Sequence, residues 1–128
     1  MLGVSGVSSD MREVEAAERE GNERAVLAMQ MYNYRIKKYI GAYAAAMNGV
    51  DIIVFTAGVG ENQEGMRWNA CKDLDYLGVK MDAERNHVRG KEQVLSADDS
   101  KVKVVMIPTD EEIVIARDTK ELVEATKA

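Results

Sequence analysis

Cysteine, histidine and proline each occur only once in this 128-residue chain, as Cys71, His87 and Pro108. A single cysteine excludes an intrachain disulfide, which suits a reducing cytoplasm. Its neighbours Asn69, Ala70 and Lys72 mark Cys71 as an ordinary helical position. One cysteine and one histidine build no zinc site, and no Ser/His/Asp order is present. His87 stands in the polar run Arg85-Asn-His-Val-Arg89 and receives no catalytic role. No apolar run approaches the roughly 18–20 residues that span a bilayer, and Met1-Leu-Gly-Val-Ser-Gly6 lacks both the basic start and the apolar core of a signal peptide. Positive charge is in deficit: 17 Lys and Arg against 22 Asp and Glu give a net charge of −5. That balance argues against nonspecific nucleic-acid binding. The basic cluster Arg35-Ile-Lys-Lys38 falls inside a predicted helix and reads as a solvated face.

What remains is the material of one soluble domain. Hydrophobic residues make up 46% of the chain and charged residues 30%, enough for a core and a surface. No repeat or low-complexity segment interrupts it. The most informative stretch is Asp51-Ile-Ile-Val-Phe-Thr-Ala-Gly-Val-Gly-Glu-Asn62. Ile52 to Phe55 form an uninterrupted apolar run, as expected of a strand covered on both faces. Gly58 and Gly60 follow, where backbone passes close to a ligand, and Asn62 is placed to cap the next helix. In open α/β sheets, ligands gather at the carboxyl ends of strands.

The flanking elements read as an α/β pattern. A loop over residues 1–12 enters a short helix, with Asp10 and Glu13 at capping-box spacing. Gly21-Asn22 separates it from a long helix over about Glu23 to Met47. There Ala25, Met29, Tyr32, Ile36, Tyr39, Tyr43 and Met47 recur at spacings of three and four, predicting one buried stripe. The slim end around Gly41 and Ala42 to Ala46 permits close approach of the sheet or a second subunit. Asn48-Gly49 ends the helix. A further helix is expected from about Asn62 to Leu77, closed by Gly78. Val79 to Met81 is expected as a short strand, Asp82 to Glu92 as irregular, and Val94-Leu95 as a small strand. Val102 to Ile107 reads as a clear strand halted by Pro108, and the last helix runs over about Asp110 to Thr126.

The acids of Pro108-Thr-Asp-Glu-Glu112 lie at a second strand-to-helix junction. Thr109 and Glu112 match a capping box, and acids in a first helical turn suit the helix dipole. Glu111 is left without a capping task. At the other end of the chain, Arg12 has an exposed ion-pair partner available in Glu15 on the same helical face.

Phe55 to Asn62, Ile107 to Thr119 and Val4 to Arg12 together resemble the nucleotide-binding motifs of the acetate kinase family, in the family's order and across nearly the whole chain. The resemblance implies an α/β fold that is part of the actin-like, ribonuclease H-like ATPase domain shared with sugar kinases, actin and heat-shock chaperones. It implies that residues 1–128 are one C-terminal nucleotide-binding fragment, with the N-terminal domain and part of the C-terminal domain lying outside it. The implied reaction is reversible phosphoryl transfer from ATP to acetate, giving acetyl phosphate and ADP. Residue by residue, Asp10, Met11, Arg12, Gly58, Val59, Gly60, Glu61 and Asn62 match nucleotide contacts, and Glu111 matches the glutamate associated with Mg2+. Asp110 departs from the pattern, since most members carry Asn there. The family's catalytic aspartate, histidine and arginine match nothing here, so the chain alone is expected not to turn over. Propionate or butyrate as acceptor, and a non-catalytic dimerising module, are the alternatives. A cytoplasmic homodimer is the implied assembly.

Overall fold

The computed structural model describes residues 1–126. Helix α1 (Leu2–Ser5) closes on Gly6 at φ 67°. Helix α2 (Met11–Arg19) starts where the Asp10 carboxylate accepts the Arg12 N–H at 2.9 Å. Helix α3 (Glu23–Ala46) starts where Asn22 accepts the N–H groups of Arg24 and Ala25. Both caps satisfy donors that a helix leaves unpaired in its first turn. Asn48 and Gly49 end α3 with φ of 61° and 132°, and the Gly49 N–H returns to the Ala44 carbonyl at 2.8 Å. Val14 of α2 packs against Ala25, Ala28 and Met29 of α3, forming a small core of its own.

The sheet has three strands in the order β1-β3-β2. β1 (Ile52–Phe55) pairs in parallel with β3 (Lys103–Met106), Ile53 opposite Val104 and Phe55 opposite Met106. β2 (Gln93–Val94) pairs antiparallel on the other side of β3. Ile53, Phe55, Val104 and Met106 point to one face. There they meet Met66, Ala70 and Cys71 of α5 (Glu64–Cys71), with Leu74, Leu95 and Val102 beside them. Tyr32, Ile36 and Ile40 of α3 cover the same core.

Several sequence expectations change. The β1 run is covered on one face only: Ile52 is 55% exposed and Val54 50%, because alternate side chains point away from the helices. The α3 stripe is buried at Ala25 and Met29 and partly buried at Tyr32 and Ile36, but Tyr39, Tyr43 and Met47 are exposed. The covered line runs instead through Ile36, Ile40 and Ala44, which is 4% exposed, so Tyr39, Tyr43 and Met47 fall on the flank of the helix. The slim end does have an intimate neighbour, for a Cβ on Gly41 would lie 3.4 Å from the Tyr76 hydroxyl. The helix expected over Asn62 to Leu77 is instead α4 (Ala57–Asn62), α5 and a 3₁₀ turn (Asp75–Leu77). Gln63, at φ −110° and ψ 87°, breaks the first two apart, and Gly78 at φ 92° closes the last. Val79 and Met81 make isolated bridges rather than a strand. The stretch expected to be irregular contains α6 (Ala83–Asn86), capped by Asp82. Helix α7 (Glu111–Ala125) follows β3 and has no buried residue.

Candidate functional site

Because β1 and β3 run parallel as neighbours, their outgoing turns emerge at the same end of the sheet. The pairing persists past both strands, where the Ile107 N–H donates to the Phe55 carbonyl at 2.9 Å. At the first turn Thr56 is extended, and Ala57 takes φ 59°, an uncommon left-handed conformation for a residue with a Cβ. The chain thereby reverses into α4, so Gly58 to Asn62 are themselves helical.

The two glycines then divide their tasks. A Cβ on Gly60 would sit 3.2 Å from the Phe55 carbonyl carbon, so this glycine lets α4 fold back onto its own strand. Around Gly58 a Cβ would meet nothing within 4 Å, which leaves its backbone open. Asn62 does not cap the next helix. It is the last residue of α4, and its side-chain amide donates to the Gly58 carbonyl at 2.8 Å. Val59 is half-buried beside Tyr32, Ile36 and Met66.

The second turn is joined to the first by Glu61. Its Oε1 accepts the Thr109 N–H at 2.8 Å and the Thr109 hydroxyl at 2.9 Å. These two bonds, the backbone one foremost, hold the Glu61 carboxyl below its ordinary range. The capping box expected between Thr109 and Glu112 is therefore absent, since Thr109 is occupied by Glu61. Asp110 caps α7 instead, accepting the Ile113 N–H at 3.0 Å. Glu111 and Glu112 are exposed and, among the described residues, their carboxylates have no hydrogen-bond or ion-pair partner.

The third segment stands apart. Arg12 donates to Asp10 through Nε at 3.1 Å and Nη2 at 2.6 Å, a two-pronged grip. The expected Arg12–Glu15 pair is not made; Glu15 pairs with Arg19 at 2.6 Å. Hydrogen bonds from the Arg12 side chain and backbone bring the Asp10 carboxyl down to about 2. Met11 packs partly buried against the small α2–α3 core. Among the described residues no hydrogen bond or ion pair joins Asp10, Met11 or Arg12 to Gly58–Asn62. The nearest link is one turn further on, from Gln63 Nε2 to Glu15 at 3.4 Å.

Arg67 supports the first turn from beneath, and sequence reasoning missed it. It is fully buried, and burial lowers its pKa from the ordinary value. Nη1 donates to the carbonyls of Gly60 (2.8 Å) and Glu61 (3.0 Å), and Nη2 to those of Asn86 (2.7 Å) and Val88 (2.8 Å). Nε donates to the Asn86 side chain at 3.1 Å. All five guanidinium bonds go to neutral oxygens, so this cation serves as a backbone clamp rather than half of a salt bridge. A signal was available, since Arg67 shares one helical spacing with Ala70, Cys71 and Leu74. A charge in an apolar stripe calls for a specific set of partners.

Cys71 is buried, and desolvation pushes its thiol up to about 12. His87 is exposed, as its polar neighbours suggest, and meets Glu64 at 2.6 Å.

Adjacent parallel strands whose outgoing turns are tied together, backed by helices on one face, are the frame of an actin-like ATPase domain of the kinase type. More narrowly, the chain belongs to the acetokinase family, whose sequence profile matches residues 1–117. It is 66% identical over 119 residues to an acetate kinase of Phocaeicola vulgatus, an alignment covering 93% of this chain and 30% of that protein. To an acetate kinase of Bacteroides thetaiotaomicron it is 63% identical over 123 residues, covering 95% and 31%. The crystal structure of Porphyromonas gingivalis acetate kinase superposes with a TM-score of 0.87 at 59% identity, over 95% of this chain and 31% of that one. A propionate kinase from Francisella tularensis superposes at 0.77 with 34% identity, over 90% and 29%. The chain thus spans about 30% of the length of the curated relatives it matches.

Proposed function

We propose that residues 1–128 are the C-terminal, nucleotide-binding part of a cytoplasmic acetate kinase, which moves the γ-phosphoryl group of ATP reversibly to acetate, giving acetyl phosphate and ADP. The observation that carries this reading is the Glu61–Thr109 junction, which sets the glycine-bearing turn beside the acidic turn at the shared end of β1 and β3. In this reading Gly58 to Asn62 bear on the adenosine of ATP or ADP from one side. Asp10 to Arg12 supply a second contact, with the Arg12 guanidinium available to stack or to meet phosphate.

Glu111 is assigned to Mg2+. No group of three or more metal-ligating side chains exists among the described residues, and Mg2+ asks for less than that. It keeps several waters and takes one or two carboxylates together with phosphate oxygens. An exposed, unpartnered carboxylate beside the nucleotide turn fits that requirement. When bound, the metal neutralises phosphate charge as the group transfers. The chain's own residues hold and orient the nucleotide, and Asp110 places a further negative charge next to Glu111.

Calorimetry on the 128-residue chain tests this directly. MgATP should bind weakly, with a dissociation constant of roughly millimolar order, because only one wall of a cleft is present. Absence of binding, with unshifted amide resonances at Gly58 and Gly60, would overturn the nucleotide reading. A coupled ADP-release assay should show no acetate-dependent turnover by this chain, and rates near those of an intact kinase would refute the division of labour. The match to a propionate kinase supports a second acceptor. Comparing acetate, propionate and butyrate with the full-length protein separates the two.

The homodimer is part of the same proposal. Tyr39 and Tyr43 stack at 6.2 Å on the exposed flank of α3, with Met47 beyond them, an apolar edge suited to a second copy. Sedimentation equilibrium should show a dimer that Tyr43→Glu weakens. A monomer at all accessible concentrations would remove that element.

A further inference from the structure

The junction between the two turns has one keystone. We propose that Glu61 is a positioning residue, whose carboxylate latches the acidic turn before α7 to the glycine-bearing turn after β1 and so fixes the spacing between them.

Three observations lead there. The first is saturation: Oε1 of Glu61 already takes two donors from Thr109, at 2.8 and 2.9 Å, which fills that oxygen. The second is anchoring, because a latch is only as firm as its base. The Glu61 carbonyl and the Gly60 carbonyl are both held by the buried Arg67, which is itself held by Asn86 and Val88. The third is what the latch holds. Helix α7 has no buried residue, and the side-chain bonds of Asp110, Thr119 and Thr126 all stay inside their own helix, as does the Lys120–Glu124 pair. Among the described residues, Glu61 is the one side chain that ties the turn at 109–112 to the body by a hydrogen bond or ion pair. Past the backbone bond at Ile107, the position of Asp110, Glu111 and Glu112 depends on it.

The consequence for ligands rests on the nucleotide reading above. Loss of the latch should leave the adenosine contacts in place and disturb what depends on Glu111. Three variants of this chain test it: Glu61→Ala, Glu61→Gln and Thr109→Val. The primary readout needs no ligand. Hydrogen exchange at the Thr109 amide should speed up roughly tenfold in Glu61→Ala, from the loss of a charge-assisted bond. Glu61→Gln keeps an acceptor oxygen and should restore most of the protection. Thr109→Val keeps the N–H and loses the hydroxyl, so it should fall between them. Unchanged exchange in Glu61→Ala overturns the latch.

The second readout compares ligands on the same proteins. Affinity for ATP with Mg2+ should drop several-fold in Thr109→Val, a residue given no nucleotide contact above, while adenosine alone binds as before. If adenosine weakens as much as MgATP in Thr109→Val, the Glu61–Thr109 bonds do not act through the acidic turn and the positioning role falls. If the unaltered chain binds no nucleotide at all, the functional reading fails separately, and the exchange data alone decide the latch.

Discussion

The β1–α4 turn and the β3–α7 turn leave adjacent parallel strands at the same end of one sheet, yet they are held in opposite ways. The first is fastened from inside. Gly60 closes against Phe55, α4 runs on into α5, and Arg67 clamps the carbonyls of Gly60 and Glu61 from a fully buried position. The second is fastened from outside, by the Asp110 cap and the Glu61 bonds to Thr109, and it leads into a 15-residue helix that buries nothing. Local topology is shared between them; burial is not. In the first turn, geometry is a property of the core. In the second it depends on a few exposed hydrogen bonds, each of them modest in water.

Five substitutions would break or sharpen that contrast. The largest effect is expected from Arg67→Met, which removes the guanidinium donors from four buried or half-buried carbonyls. It should destabilise the chain by at least about 3 kcal/mol in urea or thermal unfolding. A loss below about 1 kcal/mol would show that the clamp is dispensable. Gly60→Ala comes next. Its Cβ meets Phe55 backbone at 3.2 Å, so α4 must shift outward, at about 1–2 kcal/mol. Gly58→Ala is the control, with open space around it, and near-equal losses at the two glycines would contradict the packing account.

Asp110→Ala acts on the other turn. Loss of the cap should cost about 1 kcal/mol, felt as lower α7 helicity in circular dichroism with the main unfolding transition unmoved. A coupled shift of both signals would mean that α7 folds with the body. The smallest effect is expected from Leu122→Ser, at a side chain 70% exposed. It should change stability by less than about 0.5 kcal/mol in this chain. A larger loss would reveal packing on α7 and erase the difference between the two turns.

Much of this architecture was legible in residue order, and particular elements show why. Asn22, Asn48 and Gly49 bound α3 correctly because caps and left-handed exits are governed by neighbours in sequence. Pro108 halts β3 for a similar local reason, as it has no N–H to donate. Where the reading went astray, the deciding partner was distant. Thr109 has a Glu at capping-box spacing in Glu112, yet it bonds to Glu61, 48 positions away. Arg12 has Glu15 within reach and takes Asp10 instead, whose carboxylate also caps α2. The apolar run Ile52 to Phe55 announces a strand but not which of its faces is covered; here alternate residues stay half in water.

The same division applies to the candidate site. The glycine motif, the acidic run and the Asp10–Arg12 segment were all visible as strings, because each is contiguous. Their mutual placement was not. The Glu61–Thr109 junction and the Arg67 clamp link residues separated by tens of positions or by a change of element.

By itself, the order of residues determined the ends of α3, the places of β1, β3 and α7 and the family's motifs, since these depend on interactions within a few residues. Only the tertiary structure decided which face of β1 is buried, where a lone buried cation finds its partners and how the two turns are tied. Burial and hydrogen bonding across the fold depend on which surfaces meet once the chain has closed on itself, and no local window contains that information.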